Sequence, residues 1–124
     1  MRTQDIIRQD MQRHGMGDMA EKFLQGLAAG LKDKSLGILR EGETVVVFQA
    51  TDENALEFHI YTFDAPLALA RALKKFYDYV KAAGVKFLES KTDNIDIVKL
   101  AQSAGIPVQA YKLGPVYQVE IEVQ

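Results

Sequence analysis

The chain has 124 residues, of which 48% are hydrophobic and 26% are charged, and 15 Lys and Arg against 17 Asp and Glu give a formal charge of −2. These proportions are those of an ordinary globular domain, and they exclude a disordered tail, a collagen-like rod and a coiled coil. Because the chain has no cysteine, disulfides, thiol catalysis and cysteine zinc sites are excluded as well. We expect one domain over residues 1–124. We also expect a cytoplasmic protein, since no apolar run could span a membrane and the N-terminal stretch is amphipathic, unlike a signal peptide.

The N-terminal part of the chain predicts two helices. Residues 3–14 place apolar side chains at helical spacing, with Thr3 as the N-cap. The second helix follows Gly15 and Gly17, and Asp18 with Glu21 three residues later forms an acidic version of the capping box. The apolar residues that continue this second helix are Met19, Phe23, Leu24, Leu27 and Leu31.

The period of the sequence then changes from that of a helix to that of a strand. Residues 35–41, 44–50 and 55–63 are short runs rich in β-formers and are separated by turn residues, which predicts three antiparallel strands in a meander. In the third strand alternate residues share a face. One face carries Glu57, His59 and Tyr61, and the other carries Leu56, Phe58 and Ile60.

The second half of the chain alternates helices and strands. We predict a long helix capped by Asp64, with Pro66 in its first turn and Gly84 at its end. A strand over residues 85–90 should run parallel to the third strand, because the helix makes a right-handed crossover. A shorter helix opens at Asp93 or Asn94, and a terminal hairpin completes the order ααβββαβαββ. This order predicts a mixed α/β fold with helices on both faces of a twisted, partly antiparallel and partly parallel sheet.

The arrangement resembles the GCN5-related N-acetyltransferase (GNAT) superfamily over nearly the whole chain, without that family's usual first strand. The resemblance is carried by EFHIYTFDAPLALARALKKFYDYVKAAGVKFLES and then TDNIDIVKLAQSAGIPV, which look like the family's fourth strand, third helix, fifth strand and fourth helix. Small GNAT-like proteins of tailed phages look similar. The resemblance implies an acetyl-CoA site between the fourth and fifth strands, which splay apart in this family to admit the cofactor.

The turn that holds the cofactor's pyrophosphate in the family departs from its pattern here. The resemblance implies a Gln/Arg-x-x-Gly-x-Gly/Ala motif, in which glycines let main-chain N–H groups approach the phosphates at a helix N-terminus. Residues 62–71 contain no glycine, Pro66 lacks an N–H group, and Asp64 places a carboxylate at the helix start. We therefore expect no cofactor. If acetyl-CoA is nevertheless bound, the matching positions are Phe63, Asp64, Ala65 and Arg71.

Candidate catalytic residues follow from the same resemblance. In active relatives a carboxylate on the fourth strand deprotonates the amine, and a later tyrosine protonates the leaving thiolate. By position, Glu57 or His59 could be the base and Tyr111 or Tyr117 the acid. We expect no catalytic role for these four, because alternate polar residues usually mark the wetter face of a strand. The two tyrosines are expected to pack as a cross-strand pair.

The favoured function is therefore a non-catalytic interaction or assembly module, associated with a phage virion by analogy, which binds a protein partner or a second copy. In this hypothesis aromatic side chains fill the gap between the two splayed strands, and the candidates are Phe58, Tyr61, Phe63 and Phe87. The alternative is a divergent acetyl-CoA-dependent N-acetyltransferase that acts on a small amine. Nucleic acid is disfavoured as a partner, because Asp78 interrupts the basic helix surface and the chain is slightly acidic. With only two histidines, far apart in sequence, no metal site is expected.

Overall fold

The computed structural model describes residues 1–124 and contains four α-helices and one six-stranded sheet. The helices are α1 (Thr3–Arg13), α2 (Ala20–Asp33), α3 (Pro66–Ala82) and α4 (Ile95–Ser103). The strands are β1 (Gly37–Glu41), β2 (Thr44–Asp52), β3 (Ala55–Thr62), β4 (Phe87–Thr92), β5 (Val108–Leu113) and β6 (Val116–Glu122). This order confirms the predicted fold class.

The sheet has the strand order β1-β2-β3-β4-β6-β5. Strands β3 and β4 are parallel, as predicted from the crossover through α3, and all other neighbours are antiparallel. The sheet therefore consists of two antiparallel three-stranded units that meet at one parallel junction.

The two faces of the sheet bury two separate apolar clusters. Helices α3 and α4 cover one face, where Phe58 of β3 packs against Phe76 of α3 with ring centroids 5.4 Å apart. Helices α1 and α2 pack against β1 to β3 on the other face, where Tyr61 lies 5.7 Å from Phe23 of α2. The predicted alternation along β3 is confirmed, since consecutive side chains of a strand point to opposite faces. None of the helices combines the length and apolar character that crossing a bilayer requires.

Three of the predicted helix caps are wrong. Helix α1 begins after Arg2 and not after a Thr3 cap, because the N–H groups of Asp5 and Ile6 bond to the Arg2 carbonyl. Asp18 lies inside a short 3-10 turn, Gly17–Met19, so its side chain makes no cap and α2 begins at Ala20. The prediction for Asn94 is confirmed, since its side chain accepts the Asp96 N–H at 3.0 Å.

Asp64 is the third wrong cap. Its carboxylate accepts the Glu43 N–H at 3.0 Å and the Thr44 hydroxyl at 2.7 Å, both in the β1–β2 connection and the start of β2. Helix α3 consequently begins after Ala65 with no side-chain cap. The partners of Asp64 are 20 and 21 residues away in sequence, so local pattern could not distinguish this contact from a cap.

Candidate functional site

The junction between β3 and β4 opens partway along the two strands. Main-chain pairing covers only three positions, Ala55 with Phe87, Leu56 with Leu88, and Glu57 with Glu89. The last link is a side-chain bond, in which Ser90 Oγ donates to the Phe58 carbonyl at 2.5 Å. Both strands continue for several residues without pairing to each other, so a gap separates their C-terminal ends.

Main-chain groups of β3 face this gap. The Phe63 N–H bonds to the Glu43 carbonyl on the β2 side, whereas the Thr62 N–H points away from β2. Peptide groups alternate between the two sides of a strand, so those of Phe58, Ile60 and Thr62 face β4. Phe58 and Thr62 have side-chain partners, and Ile60 lies between them where β4 has moved away. The Ile60 N–H and carbonyl therefore face the gap.

Helix α1 closes the far end of the gap with two side chains. Asp10, which is 2% exposed, accepts the Thr62 N–H at 2.7 Å. Arg13 Nη2 donates to the Thr62 carbonyl at 2.6 Å and to Asp10 Oδ1 at 3.1 Å, and its guanidinium lies 4.4 Å from the centre of the Phe63 ring. Together they satisfy the peptide groups of Thr62 that a neighbouring strand would otherwise bond.

The gap belongs to a groove of about 1120 Å³. Its walls come from the end of α1, the α1–α2 connection, the ends of β3 and β4, and the start of α4. Lining residues that carry hydrogen-bonding or charged groups include Asp10, Arg13, His14, Lys22, His59, Lys91 and Asp93. A groove of this size can admit a small molecule or an extended chain.

The groove continues to the N-terminus of α3. A neighbouring cavity of about 480 Å³ lies between the starts of α3 and α4, and it shares Asp64, Leu69, Asn94 and Ile97 with the groove. The Leu69 N–H bonds to the Ala65 carbonyl, but the Leu67 and Ala68 N–H groups before it have no partner. Two free donors at the start of a 17-residue helix fit an anionic group, although the turn has no glycine.

The structure brings the two predicted bases together and separates the two predicted acids. His59 Nε2 lies 3.2 Å from Glu57 Oε1, and His59 lines the groove. Tyr111 pairs with Gln118, and Tyr117 pairs with Lys112, so the tyrosines point to opposite faces of the sheet. The predicted cross-strand aromatic pair is wrong because the register differs by one residue, which reverses the face. Tyr117 lies opposite Thr92, a groove residue, whereas Tyr111 is exposed on the outer strand.

The four positions predicted for the cofactor turn make different contacts. Asp64 binds the β1–β2 connection, Ala65 is the N-cap of α3, and Phe63 packs under Arg13 at the groove. Arg71 is exposed on α3 and lines neither the groove nor the neighbouring cavity. The turn thus offers main-chain donors and no side-chain cation.

The aromatic residues predicted to fill the gap lie elsewhere or at its edge. Phe58 packs in the α3 core, and Tyr61, which lines the groove, packs against α2 on the other face. Phe87 is 53% exposed at the paired end of β4, and Phe63 is 37% exposed at the rim. The gap is therefore open.

Sequence reasoning missed the polar cluster at the end of α1. Asp10, Arg13 and His14 lie together because one helical turn separates them. Burial, and then the nearby charge of Asp10, raise the pKa of Tyr61 to about 12, so this tyrosine stays protonated near neutral pH. A signal was present in the sequence, because Asp10 falls at helical spacing from Ile6 and Ile7, on the buried stripe of the helix.

The fold is that of known acetyltransferases. PseH of Campylobacter jejuni, solved in complex with acetyl coenzyme A, superposes with a TM-score of 0.60 at 18% identity, over 100% of this chain and 94% of that one. A GNAT-family structure from Desulfovibrio desulfuricans gives 0.65 at 13% identity, over 98% and 93%. YncA of Salmonella typhimurium, solved with its cofactor acetyl-CoA, gives 0.57 at 13% identity, over 85% and 74%. No family model matches the sequence, and no curated protein matches it.

These neighbours establish the GNAT fold and correct one prediction. The expectation that no cofactor is bound is wrong, because two proteins with this fold hold acetyl-CoA. The expectation depended on the absence of glycine from residues 62–71, on Pro66 and on the Asp64 carboxylate at the helix start, and it led to the hypothesis that aromatic side chains fill the gap. The structure directs the Asp64 carboxylate to Glu43 and Thr44 and leaves the gap open.

Proposed function

We propose that the protein binds acetyl-CoA in the gap between β3 and β4 and transfers its acetyl group to a primary amine. The observation that carries this proposal is the end of β3–β4 pairing at Glu57 and Glu89, which turns the Ile60 peptide toward an open groove. PseH and YncA, which share the fold, are complexes with acetyl-CoA and support the same ligand here.

The chain offers main-chain groups along the length that such a ligand would occupy. An extended amide chain can bond to the exposed peptide of β3 as an additional strand would. At the other end, the free N–H groups of Leu67 and Ala68 and the dipole of α3 favour a diphosphate. Bound acetyl-CoA would supply an acetyl group activated as a thioester.

The peptide of Ile60 has the right chemistry to assist acetyl transfer. A fixed N–H group directed at the thioester carbonyl oxygen would stabilise the negative charge that develops there, and its position needs no reorganisation. The groove beside α1 leaves room for an amine. Glu57 and His59 stay predictions for the base, and Tyr117 stays a prediction for the acid.

A second candidate function is the non-catalytic interaction module that the sequence favours. Phe87, Tyr111 and Leu113 are 53%, 48% and 55% exposed, and they share the sheet face that α1 and α2 cover over β1 to β3. Exposed apolar residues on one face support a protein partner or self-association. A role in a virion stays a prediction from resemblance alone.

Thermal unfolding with acetyl-CoA separates the two functions. A ligand that binds only the folded chain stabilises it by about 2.7 kcal/mol when the ligand concentration is about 100 times the dissociation constant. Each kcal/mol raises the melting temperature by roughly 3 to 5 °C at this chain length. We expect a rise of several degrees, together with release of free thiol when an amine is added. No rise at millimolar acetyl-CoA would contradict acetyl-CoA binding. A rise without thiol release for any amine would favour the module.

A charge variant tests where the diphosphate lies. Leu67→Glu adds a carboxylate beside the free donors of α3, and at 66% exposure Leu67 makes few packing contacts. We expect an affinity for acetyl-CoA that is about tenfold lower, from one charge near a phosphate in a partly screened site. Leu67→Gln is the matched neutral control, and acetyl-pantetheine, which has no diphosphate, should bind both variants equally. Equal loss for the two ligands would place the diphosphate elsewhere.

A further inference from the structure

The last turn of α1 and the C-cap residue that follows it present an aspartate and a histidine as a bonded pair at the groove. Asp10 has a side chain that is 3% exposed, and three neighbours fix its carboxylate: the Thr62 N–H at 2.7 Å, Arg13 Nη2 at 3.1 Å and His14 Nδ1 at 2.8 Å. The burial and the number of its bonds hold the carboxylate in one orientation.

The contacts of His14 define which of its nitrogens is free. Nδ1 lies 2.8 Å from Asp10 Oδ1 and 2.9 Å from the Asp10 carbonyl oxygen. Both neighbours are acceptors, so Nδ1 carries the hydrogen, and Nε2 of the neutral ring is an acceptor. Nε2 has no partner in the protein, and the ring, with a side chain 43% exposed, lines the groove.

The other histidine of the groove is held less firmly. His59 contacts Glu57 through Nε2 at 3.2 Å, and the two side chains are 47% and 40% exposed. An exposed pair of this kind is free to separate in water. His14 therefore has the better fixed ring of the two groove histidines.

We infer that His14 is the general base of the acetyl transfer and that Asp10 is its positioning residue, an inference that rests on the proposed function. The amine nitrogen forms a bond to the acetyl carbonyl carbon, and the C–S bond breaks with its electron pair staying on sulfur. His14 Nε2 takes the proton that the amine nitrogen loses. The protonated ring gives this proton to the leaving thiolate, directly or through water, so the products are an amide and a thiol.

The surroundings of His14 suit this role. Tyr61 of β3, which also lines the groove, is protonated and neutral. Besides Asp10, the charged residues that line the groove are Arg13, Asp18, Lys22, Asp64, Lys91 and Asp93. Met16, Met19 and Phe63 are exposed apolar residues that line the same groove as His14. Tyramine, a primary amine with an apolar body, is therefore a suitable amine probe.

The test combines rates with two measurements that need no turnover. Thiol release from acetyl-CoA is measured with tyramine and with water as acceptor, for the wild type, His14→Gln, His59→Gln and the surface control Gln9→Ala on α1. We expect His14→Gln to lose about 100-fold or more of the rate, the usual contribution of general base catalysis, with an unchanged thermal shift by acetyl-CoA. Gln9→Ala should match the wild type. Long-range proton–nitrogen correlation spectra should show the hydrogen of neutral His14 on Nδ1.

Asp10→Asn tests the positioning role. We expect a lower kcat, an unchanged KM for acetyl-CoA, and loss of the Nδ1–H preference of His14, a combination that simple loss of stability would not give.

Each result separates the inference from the proposed function. If acetyl-CoA gives no thermal shift to the wild type, the proposed function fails first and the inference falls with it. If acetyl-CoA binds but the wild type releases no thiol with tyramine or any other amine, the acetyl-transfer part of the proposed function fails together with the inference. If the wild type releases thiol but His14→Gln keeps its rate, or His59→Gln loses more, the inference alone is overturned. A hydrogen on Nε2 of neutral His14 would also overturn it.

Discussion

On the side of β3 that faces β4, the peptide groups at the two ends of the strand have different hydrogen-bond partners. From Ala55 to Glu57 these groups bond to the main chain of β4, with which they form a parallel ladder. At Thr62 they bond to two side chains of α1, the carboxylate of Asp10 and the guanidinium of Arg13. Between these two stretches, the peptide of Ile60 bonds neither to the main chain of β4 nor to a side chain of α1.

This difference explains how a sheet can contain a cleft without losing its fold. A buried peptide group that lacks a partner costs about 1 to 3 kcal/mol, so separated strands need other partners. Here the helix α1 supplies them at the far end, and only the short stretch around Ile60 stays available. Changes at either end of β3 should therefore affect different properties of the protein.

The largest effect is expected for Asp10→Ala, which removes the side-chain partner at the open end. The buried Thr62 N–H loses its acceptor, at a cost of about 1 to 3 kcal/mol. Arg13 and His14, whose side chains are 49% and 43% exposed, each lose a charged partner at about 1 kcal/mol or less, so we expect a total loss of about 3 kcal/mol. Urea unfolding measures this loss. Asp5→Ala, on the same helix with two partly exposed arginine partners, is the control and should cost about 1 kcal/mol or less. Equal losses would show that Asp10 does not hold the end of β3.

Next in size is Asp64→Ala, which leaves the Glu43 N–H without its partner and removes one partner of the Thr44 hydroxyl. We expect a loss of about 2 kcal/mol, as for other bonds to a charged group. Asp52→Ala provides the comparison, since Asp52 accepts one N–H group in an exposed turn. The same unfolding assay should rank Asp64→Ala above Asp52→Ala, and the reverse order would contradict the assignment.

A smaller effect is expected where the ladder ends. Ser90→Ala removes the bond from Ser90 Oγ to the Phe58 carbonyl, a buried link between the two strands, at a cost of about 1 kcal/mol. Ser103→Ala removes a bond of the same kind, to the Leu100 carbonyl, on the exposed side of α4. Unfolding of the two variants should differ, because only Ser90 crosses the β3–β4 junction.

The smallest effect appears only in alkali and concerns Tyr61 at the open end. Burial and Asp10 raise its pKa to about 12 from the ordinary value of 10.0, so the folded chain holds this proton more tightly than the unfolded chain. The stabilisation of the folded chain by this proton is fully present below about pH 10 and is lost as the pH rises toward about 12. After allowance for partial exposure, we expect the wild type to lose about 1 kcal/mol more than Tyr61→Phe at about pH 11. Parallel stability curves for the two proteins would contradict the shift.

Sequence pattern predicted the fold because each element has a strong local signal. The period of apolar residues changes from helical to alternating near Ser35. Gly84 and Gly105 mark helix ends, because the chain there adopts the left-handed conformation that favours glycine, with φ of +86° and +85°. Strand β4 was placed two residues too early, at 85–90, because the N–H groups of Lys86 and Phe87 bond to the Asn54 carbonyl across the sheet.

The candidate site was harder to predict, since contacts distant in sequence decide it. Asp64 followed a strand and preceded Pro66, which is the local pattern of a cap, yet a turn 21 residues earlier binds its carboxylate. Asp10 and Thr62 are 52 residues apart, and no local rule joins them. The prediction that Tyr111 and Tyr117 pair was wrong because of the strand register. A shift of one residue at the hairpin turn moves a side chain to the opposite face of the sheet.

The short parallel junction also has a dynamic consequence. Three paired positions join two units that are each fully laddered, so separating them breaks few hydrogen bonds while the apolar cluster beneath α3 spans both. Amides at this seam should exchange with deuterated solvent sooner than those inside either unit, and the seam is where the molecule would first come apart. A molecule bound at this junction would contact both units and hold them together.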